Sequence, residues 1–139
     1  MSTNSTIAVL NPNGTVSQIY CHYNGYVSYN GQMLVDHYNN QELAEKLVFF
    51  GNLSSLFENI EPDLESEQIH NFSLPQKNVN VYYDRDRGED DQGPEIFRSL
   101  ELFKSDMANQ EYNYFWDGNE WLVIEEDSKE WQKVSSLLK

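Results

Sequence analysis

The chain has 139 residues, 23 Asp and Glu against 9 Lys and Arg, a net charge of −14 and a pI near 4.3. That length makes a single domain. The charge excludes a basic nucleic-acid or anionic-membrane binder, because such proteins gain affinity by neutralising phosphates with Lys and Arg. Disorder is also excluded, since 39% of residues are hydrophobic and 14% aromatic, enough for a packed core.

In chain order, MSTNSTIAVL has neither a basic region nor a long apolar run, which predicts no secretory signal. Thr6–Leu10 and Thr15–Tyr20 are β-rich runs joined by Asn11-Pro12-Asn13-Gly14, and together they predict a hairpin. The lone cysteine, Cys21, cannot form an internal disulfide and fits a reducing cytoplasm. Met33, Leu34, His37 and Tyr38 share one helical face, which places His37 as a hydrogen-bonded core histidine. Asn40 predicts the cap of a second helix, with Leu43, Leu47 and Phe50 on one stripe and Gly51 at its end. The longest apolar run, Leu47 to Phe50, is far short of the ~20 residues of a membrane span.

Residues 52–78 hold Pro62, Pro75 and an acidic run with little periodicity, and predict mostly loop. Val79–Tyr83 alternates as a third strand would. Pro94 reads as the first position of a third helix that turns Ile96, Phe97, Leu100 and Phe103 inward. Tyr112–Trp116, Asp117-Gly118-Asn119-Glu120 and Trp121–Ile124 predict a second hairpin. Ser128 predicts the cap of a C-terminal helix carrying Trp131, Val134 and Leu138 on one side. The fold class is therefore α+β: a mainly antiparallel sheet of two hairpins plus one further strand, with helices packed on one face.

The charge is uneven. No Lys or Arg precedes Lys46, so the first third is nearly neutral and rich in Tyr and Asn. Acidity gathers at Glu58–Glu67, Asp84–Glu95 and Glu111–Glu130. Such runs are either solvated faces or a surface shaped for a basic partner. Tyr20, His22 and Tyr26 lie in an aromatic segment with turn glycines, where they would stack on a planar ligand or simply face the core. Arg85 and Arg87 would clamp a phosphate or neutralise their acidic neighbours. Asp84–Glu95 fails as a calcium loop, with Gly88 one place early and arginines at the second and fourth positions. The scattered histidines have no zinc spacing, no nucleophile or phosphate-loop motif occurs, and no cofactor is implied.

IYCHYNGY, NGQMLVDHYN, GNLSSL, YDRDRGED and EYNYFWDGNEWLV together resemble a family of small acidic, mostly uncharacterised proteins encoded by bacteriophages, prophages and mobile elements. The resemblance covers about residues 5–124 and leaves 125–139 as a helical extension. Family members carry HWDGY where this chain has His22-Tyr23-Asn24-Gly25-Tyr26, so the carboxylate is missing at position 24.

The resemblance implies a genomic setting and no activity, and with it a non-catalytic antagonist of a host defence or nucleic-acid-processing protein in the host cytoplasm. Glu58, Glu61, Asp63, Glu65, Glu67, Asp90 and Asp91 would meet the basic surface of that protein, as a DNA mimic does. The alternative is a protein that sequesters a nucleotide immune signal through Tyr20, His22, Tyr26, His37, Arg85 and Arg87. A homodimer would form if the aromatic hairpin at 112–124 exposed an edge or an apolar face.

Overall fold

The computed structural model describes residues 2–138. At its centre lies β1 (Ser5–Leu10), antiparallel to β2 (Val16–Cys21) on one side and parallel to β6 (Tyr112–Trp116) on the other. The turn between β1 and β2 closes through Asn11 N–H to Thr15 O at 2.8 Å, with Gly14 at positive φ. A π-helical turn (Val27–Gly31) runs into α1 (Gln32–His37), and α2 (Gln41–Phe49) follows. As expected, Asn40 caps α2 by accepting from the Leu43 N–H at 2.8 Å. β3 (Leu53–Ser55), β4 (Val81–Tyr82), α3 (Tyr83–Arg87), β5 (Glu95–Phe97) and α4 (Leu100–Asp106) precede β6. β7 (Trp121–Glu125), β8 (Gln132–Lys133) and α5 (Val134–Leu137) close the chain.

The fold is α+β, but the sheet is larger and more mixed than two hairpins and a strand. Among the described residues it has eight strands, seven in the order β4-β3-β2-β1-β6-β7-β8 and β5 paired to β2 off that path. β1–β6 and β2–β3 are parallel and the other pairs antiparallel. Short strands such as β3, β5 and β8 are too brief to show an alternation of their own, so tertiary pairing defines them.

Alternation along the long strands gives the sheet two covered faces. Ile7, Val9, Ile19, Cys21, Tyr114, Trp116, Trp121 and Val123 meet Leu34, Ala44, Leu47 and Val48 from α1 and α2. The polar tips of the buried aromatics are satisfied: Tyr38 Oη donates to Phe57 O at 2.6 Å, Tyr82 Oη to Leu47 O at 2.7 Å, and Trp121 Nε1 to Tyr38 O at 3.0 Å. On the opposite face Ala8, Val16, Phe97 and Phe115 pack with Phe103 of α4 and with Trp131.

Several expectations are thereby corrected. The helices do not share one face, because α4 covers the second. The third helix does not begin at Pro94: Glu95–Phe97 joins β2, and Ser99 caps α4 by accepting from the Leu102 N–H. Ser128 caps no helix, and Trp131 and Val134 serve opposite faces. The run Val79–Tyr83 is strand only at Val81–Tyr82 and then turns into α3. His37 is exposed at the end of α1 rather than in the core. The 112–124 hairpin is flanked by β1 along β6 and by the two-residue β8 at Leu122–Val123 of β7.

Gly51 ends α2 at φ +88, and a Cβ there would lie 2.0 Å from Gln92 O. Gly118, at φ +99, has open space around it. Gly118→Ala should therefore cost only the left-handed backbone, about 1 kcal/mol. Gly51→Ala must also displace the Gln92 backbone and should cost more than about 2 kcal/mol. Urea unfolding of the two variants checks the difference, and equal costs would contradict the close approach.

Candidate functional site

The second face of the sheet is apolar at one end and polar at the other. Thr6, Gln18 and Asn113 are buried on the polar half, and each is hydrogen-bonded. Thr6 Oγ1 donates to Asn113 Oδ1 at 2.9 Å. Gln18 exchanges two bonds with the Ala108 backbone, at 3.1 and 3.0 Å, and so pins the 107–111 segment over the strands. Asn52 accepts the Tyr20 N–H at 2.9 Å and donates to Gln92 Oε1 at 2.9 Å. Thr6, Gln18, Tyr20, Asn52, Glu95 and Gln110 line a cavity of about 250 Å³. Thr6, Gln18 and Asn52 were not singled out in the sequence. Their signal was an amide or hydroxyl at the inward position of a strand, or just after a helix-ending glycine.

Tyr20 and His22 come together as neighbours on the same strand face, with Tyr20 Oη and His22 Nδ1 2.7 Å apart. Tyr23 packs edge-on against His22 at 4.5 Å between ring centroids. The other ligand candidates lie elsewhere. Tyr26 lines a separate groove with Tyr112, Leu137 and Leu138. His37 stands beside Lys46, Glu58 and Glu61. Arg87 is exposed, pairs with Glu89 and lies 4.1 Å over the Phe72 ring.

Arg85 is engaged inside the protein. It donates to Ile60 O at 2.6 Å and Asn80 O at 3.0 Å, and grips Asp86 through Nε–Oδ1 at 2.9 Å and a guanidinium N–Oδ2 contact at 3.1 Å. Its guanidinium sits 4.7 Å over the Tyr82 ring. The Asp86 side chain is 4% exposed and also accepts the Tyr82 N–H at 2.8 Å. His70, 1% exposed, reaches Asp86 through Nε2 at 3.2 Å while its Nδ1 accepts the Gln76 N–H at 2.9 Å. That acceptor role leaves the proton of the neutral ring on Nε2. The dyad has no nucleophile on its other nitrogen. Its work is to hold the 61–78 loop against α3 and β4.

That loop carries Glu61, Asp63, Glu65 and Glu67 of the acidic candidates, with Glu58 just before it. Glu58, Glu61, Asp63, Glu65 and Glu67 are all exposed, as are Asp90 and Asp91 before β5. Glu61 meets Lys46 at 3.1 Å, and Gln76 ties Asp63 and Gln68 together from within the loop. Leu64, Ile69 and Leu74 project from the same loop into solvent.

Burial pushes the Cys21 thiol up to about 12, against a lowering hydrogen bond from Asn30, and it is wholly enclosed. Burial likewise pushes Tyr38 up to about 12, despite the lowering bond from Asn80, and raises Tyr82 and Tyr114. Among the described residues, no group of three or more His, Cys, Asp or Glu is placed to hold a metal ion, and no helix is long and apolar enough to cross a membrane. No protein-family model, curated protein or solved structure matches the chain.

Two expectations follow from this geometry. Arg85→Ala leaves Asp86 buried beside a neutral His70, and should cost about 3 kcal/mol in urea unfolding and speed amide exchange across 61–78. Arg87→Ala, at an exposed pair, should cost under about 1 kcal/mol, and a reversed ranking would refute the clamp. Second, a phenol whose folded pKa is raised favours the native state below the unfolded value near 10, and that contribution is lost as pH rises through 12. Unfolding should thus begin between pH 10 and 12, with Cys21 resisting thiol reagents at pH 8 until the chain is unfolded. Labelling of the native protein at pH 8 would contradict it.

Proposed function

We propose that this chain is a non-catalytic acidic binding protein whose partner is a protein with a basic surface, and that its setting is a mobile element opposing a host defence or nucleic-acid-processing protein. One observation carries the reading: the 58–67 carboxylates stand exposed on a loop fixed from beneath by the buried Arg85–Asp86–His70 cluster. A fixed array of like charge loses little conformational entropy when a partner docks, and it attracts opposite charge from a distance.

The exposed Leu64, Ile69 and Leu74 among those carboxylates favour a protein partner. A phosphate-like charge row needs no such side chains, whereas a protein interface buries them. DNA mimicry is then one way in which the acidic surface would act on its partner, by occupying a channel otherwise filled by nucleic acid. The nucleotide-sequestering alternative draws less support. Arg85 already spends its donors on Ile60, Asn80 and Asp86, and Arg87 is paired with Glu89.

The test compares capture from bacterial lysate by the native chain and by a variant with Glu58, Glu61, Glu65 and Glu67 changed to Gln and Asp63 to Asn. A control neutralises Glu111, Glu125, Glu126, Asp127 and Glu130, so that charge removal elsewhere is matched. The native chain and the control should retain a basic protein whose binding weakens with salt and is competed by DNA, and the loop variant should lose it. Equal capture by the loop variant, or a captured protein with no basic surface, would overturn the reading. Capture that DNA fails to compete would remove mimicry and leave protein binding.

A further inference from the structure

α2 divides two surfaces. Lys46, on one flank, meets the acidic loop through Glu61, while Glu45, Val48 and Phe49 face a groove closed on its far side by Pro94 and Ile96. Val9 and Ser17 form its floor with Asn11 at one end, and its volume is about 370 Å³. Phe49 is 72% exposed and Ile96 57% exposed, which leaves a largely apolar slot uncovered on the face otherwise shielded by helices.

The slot borders an open backbone edge. The Tyr20 N–H points away from β1 to Asn52, and His22 N–H likewise points outward to Leu53 O. Strand alternation then turns Val16 and Gln18 outward too, so their partners Phe97 and Glu95 face β2. Ile96, between them, directs its N–H and C=O to the outside, and among the described residues neither group has a backbone or side-chain partner.

We infer that β5 and the groove beside it receive an extended segment of a partner protein, in which apolar residues that enter the slot alternate with Lys or Arg. The strand adds to β5 through the Ile96 N–H and C=O, as edge-strand recognition does. Charge selects the occupant. Glu45 is the one charged residue that lines the groove, Asp90 and Asp91 precede β5 against the single Arg98 that follows it, and the whole molecule carries −14. A second copy of this chain would bring the same charge to the same edge and is repelled. The inference rests on the reading of the chain as partner to a basic protein, and it names the kind of segment that docks.

The probe is a fluorescent, end-blocked Lys-Val-Lys-Ile-Lys-Val-Lys peptide, titrated into the full chain by anisotropy and followed by amide NMR. Saturable binding should shift the Val48, Phe49 and Ile96 amides and slow exchange at Ile96. Ile96→Pro removes the outward donor without touching the bonds of Glu95 and Phe97 to β2, and Phe49→Ser removes apolar surface. Each should weaken the peptide about tenfold or more with circular dichroism unchanged, and a peptide with Glu in place of Lys should not bind.

Native affinity in both variants, shifts confined to 58–78, or a dimer that Ile96→Pro dissolves in sedimentation would each overturn the inference. The variant with its 58–67 carboxylates neutralised separates the two proposals. If it binds the peptide at the groove but still captures the same lysate protein, the acidic-loop reading fails alone. If Ile96→Pro binds no less peptide while the loop variant loses its partner, the groove inference fails alone.

Discussion

Asn52 occupies the gap in the sheet on which most of the surface depends. The outer edge of β2 is divided between β3 at Cys21 and β5 at Val16–Gln18, and Tyr20 falls between them. Without a strand there, the Tyr20 N–H would be left without a backbone partner, and a buried unpaired amide costs about 1–3 kcal/mol. The Asn52 side-chain oxygen accepts the Tyr20 N–H and its Nδ2 donates to Gln92 Oε1, while the Asn52 backbone N–H donates to Gln92 O at 2.8 Å. Gly51 lets the Gln92 backbone come close enough for this. One glycine and one amide thus fix where the 90–94 segment lies, and with it the cavity above Tyr20, the start of β5 and the wall of the groove.

A second device acts on the other side of α2. The loop from 61 to 78 contains almost no regular structure and little apolar burial, so packing alone would leave it mobile. It is held because Asp86 collects the Arg85 guanidinium, the Tyr82 amide and His70 at one buried point. A buried ion pair of this kind is weak evidence for stability. Its service here is positional: it converts an acidic loop into a surface with a defined shape.

Much of the local structure was legible in the sequence and much of the assembly was not. The Asn11–Gly14 and Asp117–Glu120 turns, the Asn40 cap and Gly51 were readable because each rests on backbone chemistry within a few residues. The parallel pairing of β1 with β6 brings Ser5 next to Tyr112, a separation over which sequence periodicity carries no information. Pro94 has the form of a helix start, but Ser99 provides the cap and Ile96 is pulled into strand by β2. Arg85 and Arg87 looked equivalent by position. They differ because helix geometry turns Arg85 towards Ile60 and Tyr82, and leaves Arg87 on the surface over Phe72. His70 and Asp86, which hold the loop, had no motif to mark them.

The charge that opens any account of this sequence does more than attract. At physiological salt its reach is about 8 Å, so for the proposed basic partner it would act over the last steps of approach, on the rate of encounter. Retention then depends on what is desolvated at contact. The structure exposes apolar side chains in two places flanking α2: Leu64, Ile69 and Leu74 on the acidic loop, and Phe49 and Ile96 at the groove. On a neutral protein such exposure would promote self-association through the open edge of β5. Carboxylates beside both patches oppose it, because two copies would have to bring like charges together before burying any of those side chains. Apolar exposure and acidity are therefore coupled: the second opposes the self-association that the first would otherwise promote.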